Sequence, residues 1–276
     1  DLIHSEALKF LEANSNKPFF MFYPTTIPHA ELVAKEEYMQ KFRGKLEPEK
    51  AFKGVDNGPE FRQGPYGSQP ESHAAFAAMV TQLDDYVGEI MNKLVELGID
   101  NNTIVIFASD NGPHLEGGAD PDWFDSNGPL RGYKRDMYEG GIRTAMIVRW
   151  PGKVKPGSES GHLSAFWDVM PTIADITGAK APEGIDGISF LPTLMGQSSR
   201  QAAHPYLYWE FHEQGGKQAV GFCETLAGQR EGRAMVRRGA DEGQAQRRID
   251  RIVEAERLGR DERLVVIHAE RHVIAR

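Results

Sequence analysis

The sequence predicts a mixed α/β domain, layered around a mostly parallel central sheet with helices on its faces. Three observations carry that prediction. Short, continuously apolar runs recur through the first 220 or so residues, as in strands buried on both faces. Between them, apolar residues repeat at helical steps of three and four. Gly and Pro punctuate the changeovers.

In chain order, Leu2, Ile3, Ala7, Phe10 and Leu11 line one side of an amphipathic helix. Lys17-Pro18 introduces Phe19-Phe20-Met21-Phe22-Tyr23, short enough for a buried strand. A Gly- and Pro-rich loop follows, from about Gly44 to Pro70. Phe76, Met79, Val80, Leu83, Val87, Ile90, Met91 and Leu94 predict a long helix stopped by Gly98. Residues 103–108 and 145–150 read as buried strands, and Phe166 to Ile176 as a helix ending before Gly178. Residues 206–211, Tyr-Leu-Tyr-Trp-Glu-Phe, look like the start of a separate small sheet.

The chain has 276 residues, enough for about two domains at roughly 150 residues each. Its organisation reads as 1–200, the main layered domain; 201–220, the start of a small C-terminal α+β subdomain; and 221–276, an atypical tail. All 16 prolines, all four Trp and all eight Tyr precede the tail, which also lacks Lys and Asn and is rich in Arg and Glu. That composition fits a frame-shifted segment or a charged, solvated helix, and no chemistry is expected there. Forty acidic against 32 basic residues give a net charge of −8, the opposite of a nucleic-acid binder. No apolar stretch is long enough to span a membrane. The single cysteine, Cys223, excludes an internal disulfide framework and a cysteine-built metal site. The first residues carry neither an initiator Met nor a signal-peptide pattern, so the chain reads as an N-terminally truncated fragment.

Ligands of α/β sheets bind beyond the carboxyl ends of strands. The strand ending at Ala108 runs into Ser109-Asp110-Asn111-Gly112-Pro113-His114. Asp110 and Asn111 offer hard oxygens suited to Ca²⁺ or Mg²⁺, although Asp-Asn-Gly is also ordinary turn chemistry. The segment Gly132 to Arg143 joins three glycines to alternating charges, and its lysine and arginines, Lys134 among them, would suit a tetrahedral dianion or a monoanionic ester beside a metal. A solvated connection is the plainer alternative. His29 follows the run ending at Tyr23 and is a candidate general acid. Lone loop histidines are more often structural, and His4, His73, His162, His204, His212, His268 and His272 are read that way.

Together the segments Ser109-Asp110-Asn111-Gly112, Gly132-Tyr133-Lys134, Glu139-Gly140-Gly141-Ile142-Arg143 and Trp150-Pro151-Gly152 resemble the sulfatase (arylsulfatase) family of the alkaline-phosphatase superfamily. Asp168-Val169-Met170-Pro171-Thr172 and Asp186-Gly187-Ile188-Ser189-Phe190 add to the resemblance, which covers about residues 1 to 220. It implies a sulfuric ester hydrolase acting on a sulfated carbohydrate or an aryl sulfate. Asp110 and Asn111 would be two ligands of a calcium ion, preferred over magnesium. Lys134 would contact the sulfate and its bridging oxygen, and His29 would protonate the departing alcohol. Arg143 and Glu139 are expected to pair and fix the glycine turn rather than touch substrate. A periplasmic or secreted location is expected from the same resemblance.

The departures are equally specific. The family's formylglycine nucleophile arises in a Cys/Ser-x-Pro-x-Arg motif, and no such string occurs here. Cys223 lacks the Pro and Arg; Asp84-Asp85 lies mid-helix and does not replace the family's first pair of metal-binding aspartates. Ala145 stands where the family usually has Pro. The chain alone is therefore expected not to turn over sulfate esters. Two other readings stay open: a phosphoester or phosphonate ester hydrolase of the same superfamily, and a catalytically dead module that binds sulfated glycans.

Overall fold

A computed structural model describes residues 1–61, 63–213 and 216–222, together with the backbone of 237–238. Most of the 221–276 tail, Cys223, His268 and His272 lie outside the described residues. The chain divides into two compact units. One comprises residues 1–104 and 114–126; the other comprises residues 105–113 and everything from Asn127 onward.

The first unit is helical. α1 (Leu2–Asn14) and α2 (Glu36–Phe42) both pack on α3 (Ser72–Glu96). The helical period of α3 survives as burial: Ala74, Ala75, Ala78, Met79, Tyr86, Ile90 and Leu94 face inward. Leu32, Tyr38 and Met39 meet the first half of that stripe. No side chain of the preceding residue caps α3; instead the Glu49 carboxylate accepts the N–H groups of His73 (2.9 Å) and Ala74 (3.0 Å). Gly98, at φ +69°, ends the run after α3 as expected. His4 is a satisfied structural histidine. It stacks on Tyr86 at 4.0 Å and its Nε2 lies 2.9 Å from Glu89.

The predicted strand Phe19–Tyr23 forms no ladder among the described residues, and Phe20 and Phe22 stay exposed. Apolar content signals burial in a sheet only when partner strands flank it, and among the described residues none does.

The second unit holds β1 (Val105–Ala108), α4 (Glu139–Ile142), β2 (Met146–Arg149), α5 (Val169–Thr177), α6 (Leu191–Leu194), β3 (Tyr206–Phe211) and β4 (Lys217–Phe222). The class is mixed α/β, but the pairings described differ from the parallel neighbours expected. β1 and β2 pair antiparallel, Val105 opposite Arg149 and Ala108 opposite Met146. The reason lies in the connection. Thr144 Oγ1 donates to the Ser109 carbonyl (3.0 Å), so the chain re-enters the sheet at the edge where it left. A parallel partner would need a crossover to the opposite edge. Phe107 and Ile147 sit opposite one another, and both are exposed. β3 and β4 form a second antiparallel ladder that runs through Gly221 and Phe222, two residues into the segment assigned to the tail; Arg237–Arg238 pairs with its start.

The core beneath is Met137, Ile142, Ala165, Leu207, Trp209, Ala219 and Val220. Beside it, the fully buried Asp168 carboxylate accepts the N–H groups of Ala165 (2.7 Å) and Ile188 (2.8 Å) and lies 2.8 Å from His204 Nε2. Thr172 Oγ1 accepts the Phe190 N–H (2.9 Å). The two motifs at 168–172 and 186–190 are thus one hydrogen-bonded knot. Gly178, at φ +72°, closes α5.

Candidate active site

Asp110, Asn111 and Lys134 belong to the second unit, where main-chain bonds tie their loops together. The Gly112 N–H donates to the Gly141 carbonyl (2.9 Å), and the Lys134 N–H to the Pro113 carbonyl (2.8 Å). Gly112 permits this approach, since a Cβ there would land on the Gly140 carbonyl oxygen. Asn127 Nδ2 bonds the carbonyls of Leu130 (2.7 Å) and Gly132 (2.9 Å), holding the entry to the Lys134 turn. Arg143 and Glu139 pair at 3.3 Å across α4, as the sequence predicts. The exit from the Lys134 turn is fixed by a residue that sequence reasoning misses. Lys217, buried on β4, donates from Nζ to the Arg135 carbonyl (2.8 Å). No local pattern around Lys217 signals this, because the pairing spans 82 residues.

Asn111 donates from Nδ2 to the Asp110 carboxylate. With its nitrogen so engaged, the Asn111 amide has its oxygen left for a cation. Asp110 is exposed and Asn111 half-buried. Among the described residues, no group of three or more His, Cys, Asp or Glu side chains is gathered to hold a metal. The pair therefore fits two positions around a hard cation, which takes about six to eight oxygens in all; it is not a whole cage.

His29 belongs to the first unit, between the 27–31 loop and the segment that resumes at His114. Its Nδ1 lies 2.8 Å from the Ala30 carbonyl oxygen and its Nε2 3.3 Å from the Glu116 carboxylate. His114 stacks on it, centroids 5.1 Å apart and planes within 19°. The approach depends on Gly117, at φ +62°, where a Cβ would come within 2.7 Å of the Ala30 Cβ. Further along, Asp120 anchors the segment through Lys50 (3.0 Å), the Trp123 N–H (3.2 Å) and His73 (3.4 Å). Burial pushes the Asp120 carboxyl upward, but the Lys50 ammonium, the Trp123 N–H and His73 outweigh it and hold it below its ordinary value. His73, stacked on Trp123 at 4.2 Å, is structural as expected.

Residues 1–179 match the family model "Sulfatase". The chain belongs to the sulfatase family. A steryl-sulfatase of Rattus norvegicus is 33% identical over 208 residues, covering 74% of this chain and 31% of its own. An N-acetylgalactosamine-6-sulfatase of Mus musculus is 32% identical over 198 residues, covering 70% of this chain and 32% of its own. The chain thus spans about a third of the length of these relatives. A solved structure in complex with k-i-k-neocarrahexaose aligns with a TM-score of 0.63 at 24% identity, over 94% of this chain and 54% of that one. Another, in complex with its substrate D-glucosamine-2-N,6-O-disulfate, aligns with a TM-score of 0.59 at 19% identity, over 94% and 69%. These likenesses establish the alkaline-phosphatase-like fold of the sulfatases. Among the described residues, no helix is long and apolar enough to cross a membrane.

Proposed function

We propose that the protein hydrolyses sulfate monoesters, R–O–SO₃⁻, to an alcohol and sulfate, with this chain contributing Asp110, Asn111, Lys134 and His29. The substrate class is a sulfated carbohydrate or an aryl sulfate. The observation that carries the reading is the double main-chain tie between the Asp110 loop and the Lys134 turn. It holds a hard-oxygen pair and a cation-bearing turn on one scaffold, in a chain whose first 179 residues match the sulfatase model.

The chemistry follows from charge. A sulfate monoester carries one negative charge, and more gathers on the bridging oxygen as the S–O bond breaks. The Lys134 ammonium stabilises that developing charge, and donors fixed before the reaction cost nothing to reorganise. His29 gives a proton to the departing oxygen, which matters most for an alcohol that leaves poorly as an alkoxide. Calcium held by Asp110 and Asn111 would supply further positive charge beside the sulfate. The nucleophile, a formylglycine by family resemblance, has no motif among these 276 residues. The family location, periplasmic or secreted, suits a calcium-dependent enzyme.

The test uses the full-length gene product and an aryl sulfate, with and without chelator. Turnover is expected to fall on calcium removal and to recover on its return. Lys134→Ala should lower kcat by about 10²–10³. Asp110→Ala should weaken calcium dependence sharply. Unchanged turnover in both variants would overturn the assignment.

A further inference from the structure

The geometry points to Glu116 and His114 as positioning residues for His29, an inference that rests on the reading of His29 as the acid. The argument begins with which atom holds which proton. A carbonyl oxygen only accepts, so His29 Nδ1, 2.8 Å from the Ala30 carbonyl, is a donor. The nitrogen that surrenders the acidic proton is therefore Nε2. That atom lies 3.3 Å from the Glu116 carboxylate, longer than the roughly 2.7–2.9 Å of a tight charge-assisted bond. Glu116 aims the Nε2–H without capturing it, and 41% of the His29 side chain remains exposed.

His114 is fixed still more tightly. The Glu116 backbone N–H, which only donates, meets His114 Nδ1 at 3.2 Å, and the Pro28 carbonyl oxygen, which only accepts, meets Nε2 at 3.2 Å. Both contacts are satisfied by one form alone, the neutral ring with its proton on Nε2. Protonating Nδ1 would set N–H against N–H. The His29 ring thus stacks on a neutral neighbour rather than a second cation. Pro28 and Glu116 flank the two histidines in sequence, so His114 ties together the two loops that deliver the acid and its carboxylate. In the step itself, the Nε2–H bond of His29 breaks and an O–H bond forms on the leaving oxygen. The electron pair of the S–O bond stays on that oxygen, and the pair of the N–H bond stays on Nε2.

The full-length protein is assayed with two substrates: a nitrophenyl sulfate, whose leaving group departs without a proton, and an unactivated alkyl or sugar sulfate. On the unactivated ester His29→Ala should lower kcat by about 10²–10⁴, the range that acid catalysis supplies, and Glu116→Ala by at least tenfold. On the activated ester each loss should be several-fold smaller. Glu116→Ala added to His29→Ala should change nothing more, whereas fully additive losses would overturn the proposal. Glu116→Gln, which keeps an oxygen acceptor, should recover part of the loss and serves if the alanine variant misfolds. Nitrogen-15 NMR of the unsubstituted protein at neutral pH should show His114 as the Nε2–H tautomer. A His114 ring found there as the Nδ1–H tautomer overturns its part. If His29→Ala fails to discriminate between the esters, the acid reading itself falls. If it discriminates and Glu116→Ala does not, only the positioning role falls.

Discussion

The two loop pairs that carry the candidate residues, one in each unit, are held in different ways. Around Asp110 and Lys134, main chain bonds to main chain: Gly112 to Gly141, Pro113 to Lys134, with Lys217 clamping the Arg135 carbonyl. Around His29, side chains join in: the Glu116 carboxylate at Nε2 and the His114 ring against its face, beside the Ala30 carbonyl at Nδ1 and the Thr26 carbonyl that accepts the His29 N–H (3.0 Å). The first arrangement suits groups that must present fixed charge. The second suits a ring that must keep a defined proton and then release it. Substitutions should accordingly disturb folding in the first region and proton transfer in the second.

The sharpest way to break this comparison is Gly112→Ala. Its methyl would meet the Gly140 carbonyl oxygen, a backbone atom with no rotamer to escape into. A loss of about 3 kcal/mol or more is expected in urea unfolding. A loss under about 1 kcal/mol would mean the two loops are not locked as described. Lys217→Met comes next. It keeps the stem that fills the core edge but removes the donor to the Arg135 carbonyl, which should cost about 1–3 kcal/mol. In the full-length protein it should also reduce turnover, because the Lys134 turn loses its exit clamp.

The smallest effect belongs to the His29 side. Lys50→Met removes one of several partners of Asp120, and with Lys50 half-exposed the cost at neutral pH should be about 0.5 kcal/mol. Its signature is in the acid. The Asp120 carboxyl is depressed in the folded protein, so its contribution is present above the unfolded value of about 3.9 and is lost as pH falls through the folded value. Lys50→Met brings the two values closer. The gap between variant and parent in urea midpoint should therefore be larger at pH 7 than at pH 3. An equal gap at both would assign the Lys50 effect to packing instead.

Periodicity made α1, α3 and α5 legible, and the glycines at 98 and 178 marked two ends, because helical spacing and left-handed caps are local properties. The motifs at 109–112, 132–134 and 139–143 made the family legible, and the Arg143–Glu139 pair expected with it is present at 3.3 Å. His4, His73 and His204 read correctly as structural from their lack of chemical context. Glu116 and Lys217 carried no such signal. Each acts on a partner distant in sequence, Glu116 on His29 and Lys217 on Arg135, and nothing local records such a distance.

By itself, then, the sequence determined α1, α3 and α5, the strands β1, β2 and β3, which family the chain belongs to, and which side chains are chemically equipped to bind a cation, an anion or a proton. All of these depend on neighbours within a few positions. Only the tertiary structure decided that β1 and β2 run antiparallel, since that follows from Thr144 returning to Ser109. It also decided that Phe19–Tyr23 forms no ladder among the described residues, and that the His29 and His114 rings stack. Strand direction, strand partnership and ring stacking are set by groups brought together through space, and a chain carries no local mark of what it will meet there.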